Sequence, residues 1–552
     1  MVAAVAVAAA IAGAAIATGA WRPIRSGPVP PRFVDETAAS GLAFTYDGPF
    51  ADAVGGGVAV FDCDGDGRPD LYVAGGANPA GLFHDDSTIG GSLRFSRRPD
   101  PATDLTDVTG AYPIDVDGDG QVDLMVLRNG GNVVLRGLGG CRFERANEAW
   151  ALDGGAFHTM AFAATWEPGA GWPTIAFGNY VDPAIQDASQ WCEPNQLLRP
   201  ASATGPGWTA PLGLPGWCTQ SLLFSDWDGS GRRDLRVSND RHYYRTTEGQ
   251  EQLWRMDPGV APRQYGPADG WQVVQVEGMG IASDDLTGDG LPEVYLTSQA
   301  ANRLQTLAAG ATQPAYRDIG GLRGVNVAHP FTGDVNLPST SWHPEFQDVN
   351  DDGLMDLLVT KGSVNGEPDF ALRDPSDLLL GQPDGTFVEA AGEAGIVRFD
   401  RGRGAALADF NLDGRLDLVE VFYGAPVAVW RNAGPTDGPP GHWLALRLQE
   451  DGPNRDAIGA TVEVRFGAAV ARREITIGGG HAGGQLGWIH VGLGDATTAR
   501  VQVIWPDGSQ GPEQTVSADT FATLERGAAA PVPWTPGATL VVPGSVVPGS
   551  SD

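Results

Sequence analysis

Four cysteines in 552 residues allow two disulfides at most, and Cys63 has no second Cys or His at zinc-ligand spacing. No His-Glu-x-x-His occurs, and no Ser, Cys or His lies in a recognisable nucleophile motif. The sequence therefore gives no footing for zinc-protease or serine- or cysteine-hydrolase chemistry. Positive charge is scarce: Lys plus Arg number 36 against 68 Asp plus Glu, for a net charge of −32. A field of that sign repels phosphate backbones, which removes nucleic acid from the expected partners. Beyond residue 20 no stretch is long and apolar enough to span a membrane. The length leaves room for two domains or more.

The chain is instead rich in regularly placed oxygen. Six nine-residue stretches carry oxygen side chains at positions 1, 3, 5 and 9. They hold Asp62, Asp64, Asp66 and Asp70; Asp115, Asp117, Asp119 and Asp123; Asp226, Asp228, Ser230 and Asp234; Asp285, Thr287, Asp289 and Glu293; Asp348, Asn350, Asp352 and Asp356; and Asp409, Asn411, Asp413 and Asp417. The sixth residue is always glycine: Gly67, Gly120, Gly231, Gly290, Gly353 and Gly414. Position 7 can add a backbone carbonyl, at Arg68, Gln121, Arg232, Leu291, Leu354 and Arg415. Ca²⁺ takes six to eight oxygens at short range, and a tight glycine turn lets one short loop supply most of them. Mg²⁺ fits less well, because it demands near-ideal octahedral geometry and keeps its waters. Asp-Gly turns also occur at hairpins without metal, but a hairpin does not require four oxygens at these places. The expected cofactor is Ca²⁺, about six ions, one for each of the six loops.

These loops are not EF-hands, which need a Glu at position 12 and a helix on each side. Position 12 is Val73 in the first loop and Val126 in the second, and the flanks are short apolar runs such as Gly57–Phe61 and Leu71–Ala74. Each unit reads as strand, cation loop, strand. The loops start at 62, 115, 226, 285, 348 and 409, so one interval, 111 residues, is about twice the others. A degenerate unit fills the gap at Trp166–Phe177. It keeps Gly171 in sixth place but has Trp166, Pro168, Ala170 and Thr174 where ligands would stand. Seven units of 51 to 63 residues predict an all-β, seven-bladed β-propeller over residues 33–435. A second repeated element, at Phe33–Leu42, Phe143–Ala149, Tyr316–Leu322 and Phe387–Ile396, supports four strands per unit.

The loops resemble FG-GAP/VCBS repeats, as in the integrin α-subunit propeller. The stretches Asn454–Ala460, Arg473-Glu474, Gly478–Gly480, His490–Gly494 and Val503–Gly508 resemble an ASPIC/UnbV domain. Together the two resemble the cartilage acidic protein-like family over nearly the whole chain. The chain departs from the pattern at the degenerate third loop and at Gly483-Gly484-Gln485, where the family usually has Ser before Gln. Residues 441–526 are expected as a small, separate, sandwich-like β-domain, with period-2 alternation in Trp443–Leu448, Thr461–Phe466 and Arg500–Trp505. Residues 527–552 read as a flexible tail, or as a short extended piece lying on the domain.

Residues 1–20 read as a signal peptide or an anchor helix, and 21–32 as a linker. Cys192 and Cys218 suit a disulfide closing a Pro/Gly/Trp-rich insertion at 182–220. Cys63 and Cys141 either join the first two blades or remain buried thiols. His158, His343, His481 and His490 read as structural. The run Gly478–Gly484 reads as a turn or loop, because no helix follows it to cradle a phosphate. Trp166, Trp191, Trp208 and Trp217 are weighed as sugar platforms, with packing between blades the stronger reading. No catalytic residue is assigned. The expected function is an exported or cell-envelope module binding an extracellular protein or carbohydrate. A polysaccharide-acting enzyme on a propeller scaffold is the alternative, and a purely structural, ligand-free scaffold is a third reading.

Overall fold

The computed structural model describes residues 28–540 except 183, 186, 188–189, 241–249, 327–336, 365–368 and 539. The apolar segment at 1–20, most of the predicted linker and residues 541–552 lie outside the described residues.

Seven antiparallel four-stranded sheets follow one another around a ring. Their innermost strands are Val58–Phe61, Val108–Ile114, Thr159–Thr165, Thr219–Ser225, Gly278–Asp284, Ser341–Gln347 and Arg401–Ala408. Each touches the next, and the last touches the first, so the ring is closed. Both faces of a blade are covered by its neighbours. Hence four of the seven inner strands are buried at every residue, and they are rich in Ala, Val and Phe rather than alternating.

The second strands begin at Asp70, Asp123, Thr174, Asp234, Glu293, Asp356 and Asp417. Position 9 of each loop, degenerate or not, is therefore the first residue of a strand. The repeated Phe/Tyr element marks the outermost strands: Phe143–Arg145, Arg317–Asp318 and Phe387–Glu389 sit at the edges of blades two, five and six. Its first copy has no blade before it. Pro31–Asp35 pairs instead with Ala428–Pro435 and completes blade seven, so the start of the described chain closes the ring. That strand opens two residues inside the predicted linker.

The stretch 182–220 is not a simple insertion. It contains the third and fourth strands of blade three, Asn195–Leu198 and Leu212–Leu214. Both disulfides are formed, Cys192–Cys218 within this region and Cys63–Cys141 between blades one and two. Lys361, the only lysine in the chain, is buried between Asp374 and Asp377 at 2.9 and 2.8 Å.

After the ring come two more four-stranded sheets. One orders Ile489–Gly494, His442–Gln449, Thr520–Glu525 and Val532–Trp534; the other orders Ala469–Glu474, Thr461–Phe466, Thr498–Ile504 and Gln514–Ser517. Leu444, Leu446, Val462, Val464, Val501 and Val503 fill the space between them. Of the two readings of the segment from 527, Val532–Trp534 takes the extended one rather than the flexible one: it is an edge strand, and Trp534 packs on Trp488 and Phe521.

The run Gly478–Gly484 leaves its own sheets and enters the centre of the ring. Gln485–Leu486 adds as a parallel strand beside Val60-Phe61 of blade one. Gly480 N–H donates to Ile281 O, Gly479 N–H to Leu222 O, and Ala111 N–H to Ala482 O. His481, fully buried, meets the Val54 and Met279 carbonyls, and its N–H donates to His343 Nδ1 at 3.1 Å. The glycines are steric necessities. A Cβ at Gly57 or Gly110 would collide with the Ala482 carbonyl, and one at Gly483 with the Val58 carbonyl. The sequence reading of this run as a loop in a sheet domain missed that it plugs the propeller's channel.

Candidate metal centre

Each loop joins the first strand of a blade to the second, so the ring's repeat places all of them on one face. The six glycines at position 6 have φ between +81° and +92°. That is the left-handed region, which a side chain resists and glycine does not. The turn brings the position-6 N–H onto the position-1 carboxylate in every case. Gly67, Gly120, Gly231, Gly290, Gly353 and Gly414 donate to the Oδ2 atoms of Asp62, Asp115, Asp226, Asp285, Asp348 and Asp409 at 2.7–2.9 Å. The position-7 N–H groups of Arg68, Gln121, Leu291, Leu354 and Arg415 donate to the Oδ1 atoms of Asp66, Asp119, Asp289, Asp352 and Asp413. In the third-spaced loop Arg232 N–H donates to Ser230 Oγ.

Position 9 is a staple between strands. Asp70 accepts N–H groups from Cys63 and Asp85, Asp123 from Val116 and Gly137, Asp356 from Val349 and Gly381, and Asp417 from Phe410 and Asn432. Each carboxylate oxygen keeps a lone pair beyond these bonds. Asp234 is more heavily engaged, accepting from Trp227, Tyr265, Arg232 and Met256. Glu293 accepts from Leu286, Thr287 and Thr306.

The first two loops bring their carboxylates closest. Oxygens of Asp62, Asp64 and Asp70 lie within 4.8 Å of one another, as do those of Asp115, Asp117 and Asp123. The other four loops form no such triple of charged ligands among the described residues. Protein cations stand near several of these groups. Arg136 meets Asp117 and Asp119 at 2.8 Å each, Arg472 meets Asp285 at 2.8 Å, and Arg68 and Arg415 fold back on Asp66 and Asp413.

The electrostatics suit a divalent cation. Burial, then the charge of Asp456 and of neighbouring loop carboxylates, pushes Asp115 up to about 8. Burial raises Glu293 to about 7 and Asp226 to about 6. It also raises Asp70, Asp123, Asp348, Asp356, Asp409 and Asp417 well above the carboxylate range. These groups resist ionisation together unless a positive charge joins them. Asn411 supplies a direct test of fit. Its side-chain nitrogen donates to Gly91 O at 2.9 Å, while its buried Oδ1 has no hydrogen-bond partner. A neutral oxygen held dry at position 3 is what a hard cation takes as a ligand.

The third blade has no such set. Trp166 and Trp172 are buried, and Trp172 packs edge-to-face on Trp150 and Trp208. Glu167 accepts from Arg199 Nε at 2.5 Å, from Thr174 Oγ1 and from Gly259 N–H. The turn is remade as well. Gly169, not Gly171, has a positive φ, and Gly171 is small because the Ala203 carbonyl lies against it.

An FG-GAP-like repeat model matches residues 62–126 and 348–420, and an ASPIC and UnbV model matches 450–531. The chain carries FG-GAP-like repeats and an ASPIC and UnbV domain. Human cartilage acidic protein 1 is 47% identical over 150 residues, which is 27% of this chain and 21% of that protein. The mouse protein of that name is 27% identical over 150 residues, 27% of this chain and 22% of that protein. The matched part thus spans about a fifth of either relative. Among solved structures, a chain from the crystal structure of BBS1N in complex with ARL6DN has a TM-score of 0.41 at 11% identity, covering 74% of this chain and 99% of that one.

The ASPIC and UnbV domain sits on the loop face and reads the loops directly. Trp534 lies on Gly67, Phe466 on Gly353 and Trp443 on Gly414. Sequence reasoning gave no docking role to Asp351, Leu412 or Arg473, and no role in the first loop to His84. Position 4 is glycine in the loops at 62, 115, 226 and 285, but it is Asp351 and Leu412 in the last two, at φ +59° and +55°. Asp351 accepts from His490 Nε2 at 2.7 Å, and Leu412 inserts beside Ala445 and Phe521. Arg473 pairs with Asp284 at 2.8 Å. His84, on the third strand of blade one, bridges Asp64 and Asp86; these bonds raise it to about 9 and lower Asp64. The signal for Asp351 and Leu412 was present as the loss of the glycine that the first four loops keep at position 4.

Proposed function

We propose that this chain is an exported, calcium-stabilised binding or adhesion module without catalytic activity of its own, acting on an extracellular protein or carbohydrate. The observation that carries the reading is the uniform position-1 and position-6 geometry in six of the seven blades. It holds oxygen donors ready for about six Ca²⁺ ions. Asp62, Asp64, Asp66 and Asp70 would hold the first ion, and the corresponding side chains of the other five loops the rest. The carboxylates that acid–base chemistry would need are tied into these loops, which weighs against the enzyme reading. Two disulfides fit an oxidising compartment outside the cytosol. Among the described residues no helix is long and apolar enough to cross a membrane. The loops of blade three, around Cys192 and from 199 to 211, are the recognition surface. They are long, rich in Pro, Gly and Ser, and carried on a rigid ring.

Arrays of extracellular-matrix proteins and glycans, run with Ca²⁺ and with EGTA, test this reading. Calcium-dependent retention of one class without product release is expected. Release of shortened saccharide would overturn it in favour of an enzyme.

A further inference from the structure

Between the loop face of blades four to six and the ASPIC and UnbV domain lies a chamber of about 720 Å³, floored by the glycine plug. It falls within the range of ordinary small-molecule sites, about 300–1,000 Å³. We infer that this chamber is a binding site for a neutral polyhydroxylated ligand, a saccharide of one or two rings.

The class follows from the lining. Its charges of both signs largely answer one another, with Arg473 on Asp284 and Arg472 on Asp285 at 2.8 Å. A strongly anionic ligand would meet Glu345, Asp456 and Glu474; a cationic one would meet Arg233 and Arg447. What the wall leaves open is hydrogen bonding. Arg233 Nε, Arg473 Nε and Ser283 Oγ are sealed within the wall, away from the chamber's space. Gln347 and Gln485 spend their amide nitrogens on Glu345 at 3.2 and 2.8 Å, which leaves each a carbonyl oxygen as acceptor. Free acceptors therefore stand beside apolar wall from Ile281, Phe346 and Trp488. A hydroxyl group both donates and accepts, and a sugar ring pairs a rim of hydroxyls with an apolar C–H face. An apolar ligand would strip water from the Gln347 and Gln485 carbonyl oxygens without replacing it, at a cost that disfavours it. The inference rests on reading the chain as a binding module, but it concerns a site distinct from the blade-three loops.

The test uses the full chain with Ca²⁺. Saturation-transfer NMR is run with methyl glycosides of glucose, galactose, mannose, fucose and N-acetylglucosamine, with glucuronate and putrescine as charged probes. At least one neutral glycoside should receive saturation in preference to both charged probes. Gln510→Trp, at an exposed position on the chamber rim, should abolish the transfer. Gln347→Ala should weaken binding about tenfold, the effect of one lost hydrogen-bonding group. Unchanged melting curves should accompany both variants. No transfer from any neutral glycoside, preference for a charged probe, or transfer that survives Gln510→Trp would overturn the inference. If an array ligand is still held by both variants while no glycoside binds, the chamber falls and the module reading stands. If a glycoside binds the chamber while every array is blank, the reverse holds.

Discussion

Blades two and three are neighbours with the same strand plan and loops of the same length, yet they solve one problem in opposite ways. Both must turn the chain from an inner strand into a second strand on a crowded face. Blade two gathers Asp115, Asp117 and Asp123 within 4.8 Å of one another and leaves Asp115 raised to about 8 by burial and by its neighbours' charge. Blade three discards the carboxylates and packs Trp172 between Trp150 and Trp208, with Arg199 on Glu167 beside them. On the calcium reading proposed above, the first solution depends on a dissolved ion. The second is built wholly from the chain.

The difference can be broken most severely by removing the metal. EGTA should lower the melting temperature strongly, since one site at a hundred times its Kd contributes about 2.7 kcal/mol. Hydrogen exchange should then open Asp123–Arg128 while Thr174–Asn179 stays protected. The pH dependence has a definite sign. The metal-free fold holds Asp115 near 8 and Glu293 near 7, above their unfolded values. Such carboxylates bind more protons folded than unfolded, so metal-free stability should fall as pH rises from about 4 to about 8. The stabilisation by Ca²⁺ should grow over the same window. Melting curves along a pH series in EGTA and in Ca²⁺ check both, and equal protection of the two strands would erase the contrast.

Trp172→Ala should cost about 3–5 kcal/mol, the usual toll for emptying a buried indole site. It should cost the same in Ca²⁺ and in EGTA, as chemical denaturation would show. Asp115→Ala sharpens the comparison from the other side. It should remove one ion by metal analysis and cost about 2.7 kcal/mol at saturating Ca²⁺, yet little in EGTA, where losing a crowded carboxylate offsets the loss of its hydrogen bonds. The smallest effect is expected from Arg199→Met, about 1 kcal/mol and independent of Ca²⁺, because the pair with Glu167 is partly exposed.

The ring was legible because its marks are local. A glycine at position 6 declares a left-handed turn, and a carboxylate at position 9 declares where the next strand starts; both hold in all six loops. The degenerate unit was placed by spacing alone, but its turn was misread, since Gly171 answers to Ala203 across space rather than to its own φ. The same limit hid the plug. Gly478–Gly484 has no periodicity, and its glycines exist for the backbones of Val58, Ala111 and Ile281, hundreds of residues away. Trp534 was hidden for a similar reason. An isolated aromatic in a Pro/Ala-rich stretch carries no pattern until Trp488 and Phe521 are seen beneath it.

A ring of repeated sheets has an ambiguity that its own strands cannot resolve: any blade resembles the next. The rod of residues 477–486 threaded through the middle resolves it. It offers Gly484 to Val60, Ala482 to Ala111, Ile477 to Ala164, Gly479 to Leu222, Gly480 to Ile281 and His481 to His343, a different contact at each of six stations. The axis thereby acts as a key that tells blades one to six apart, so that two equivalent-looking units can no longer be exchanged.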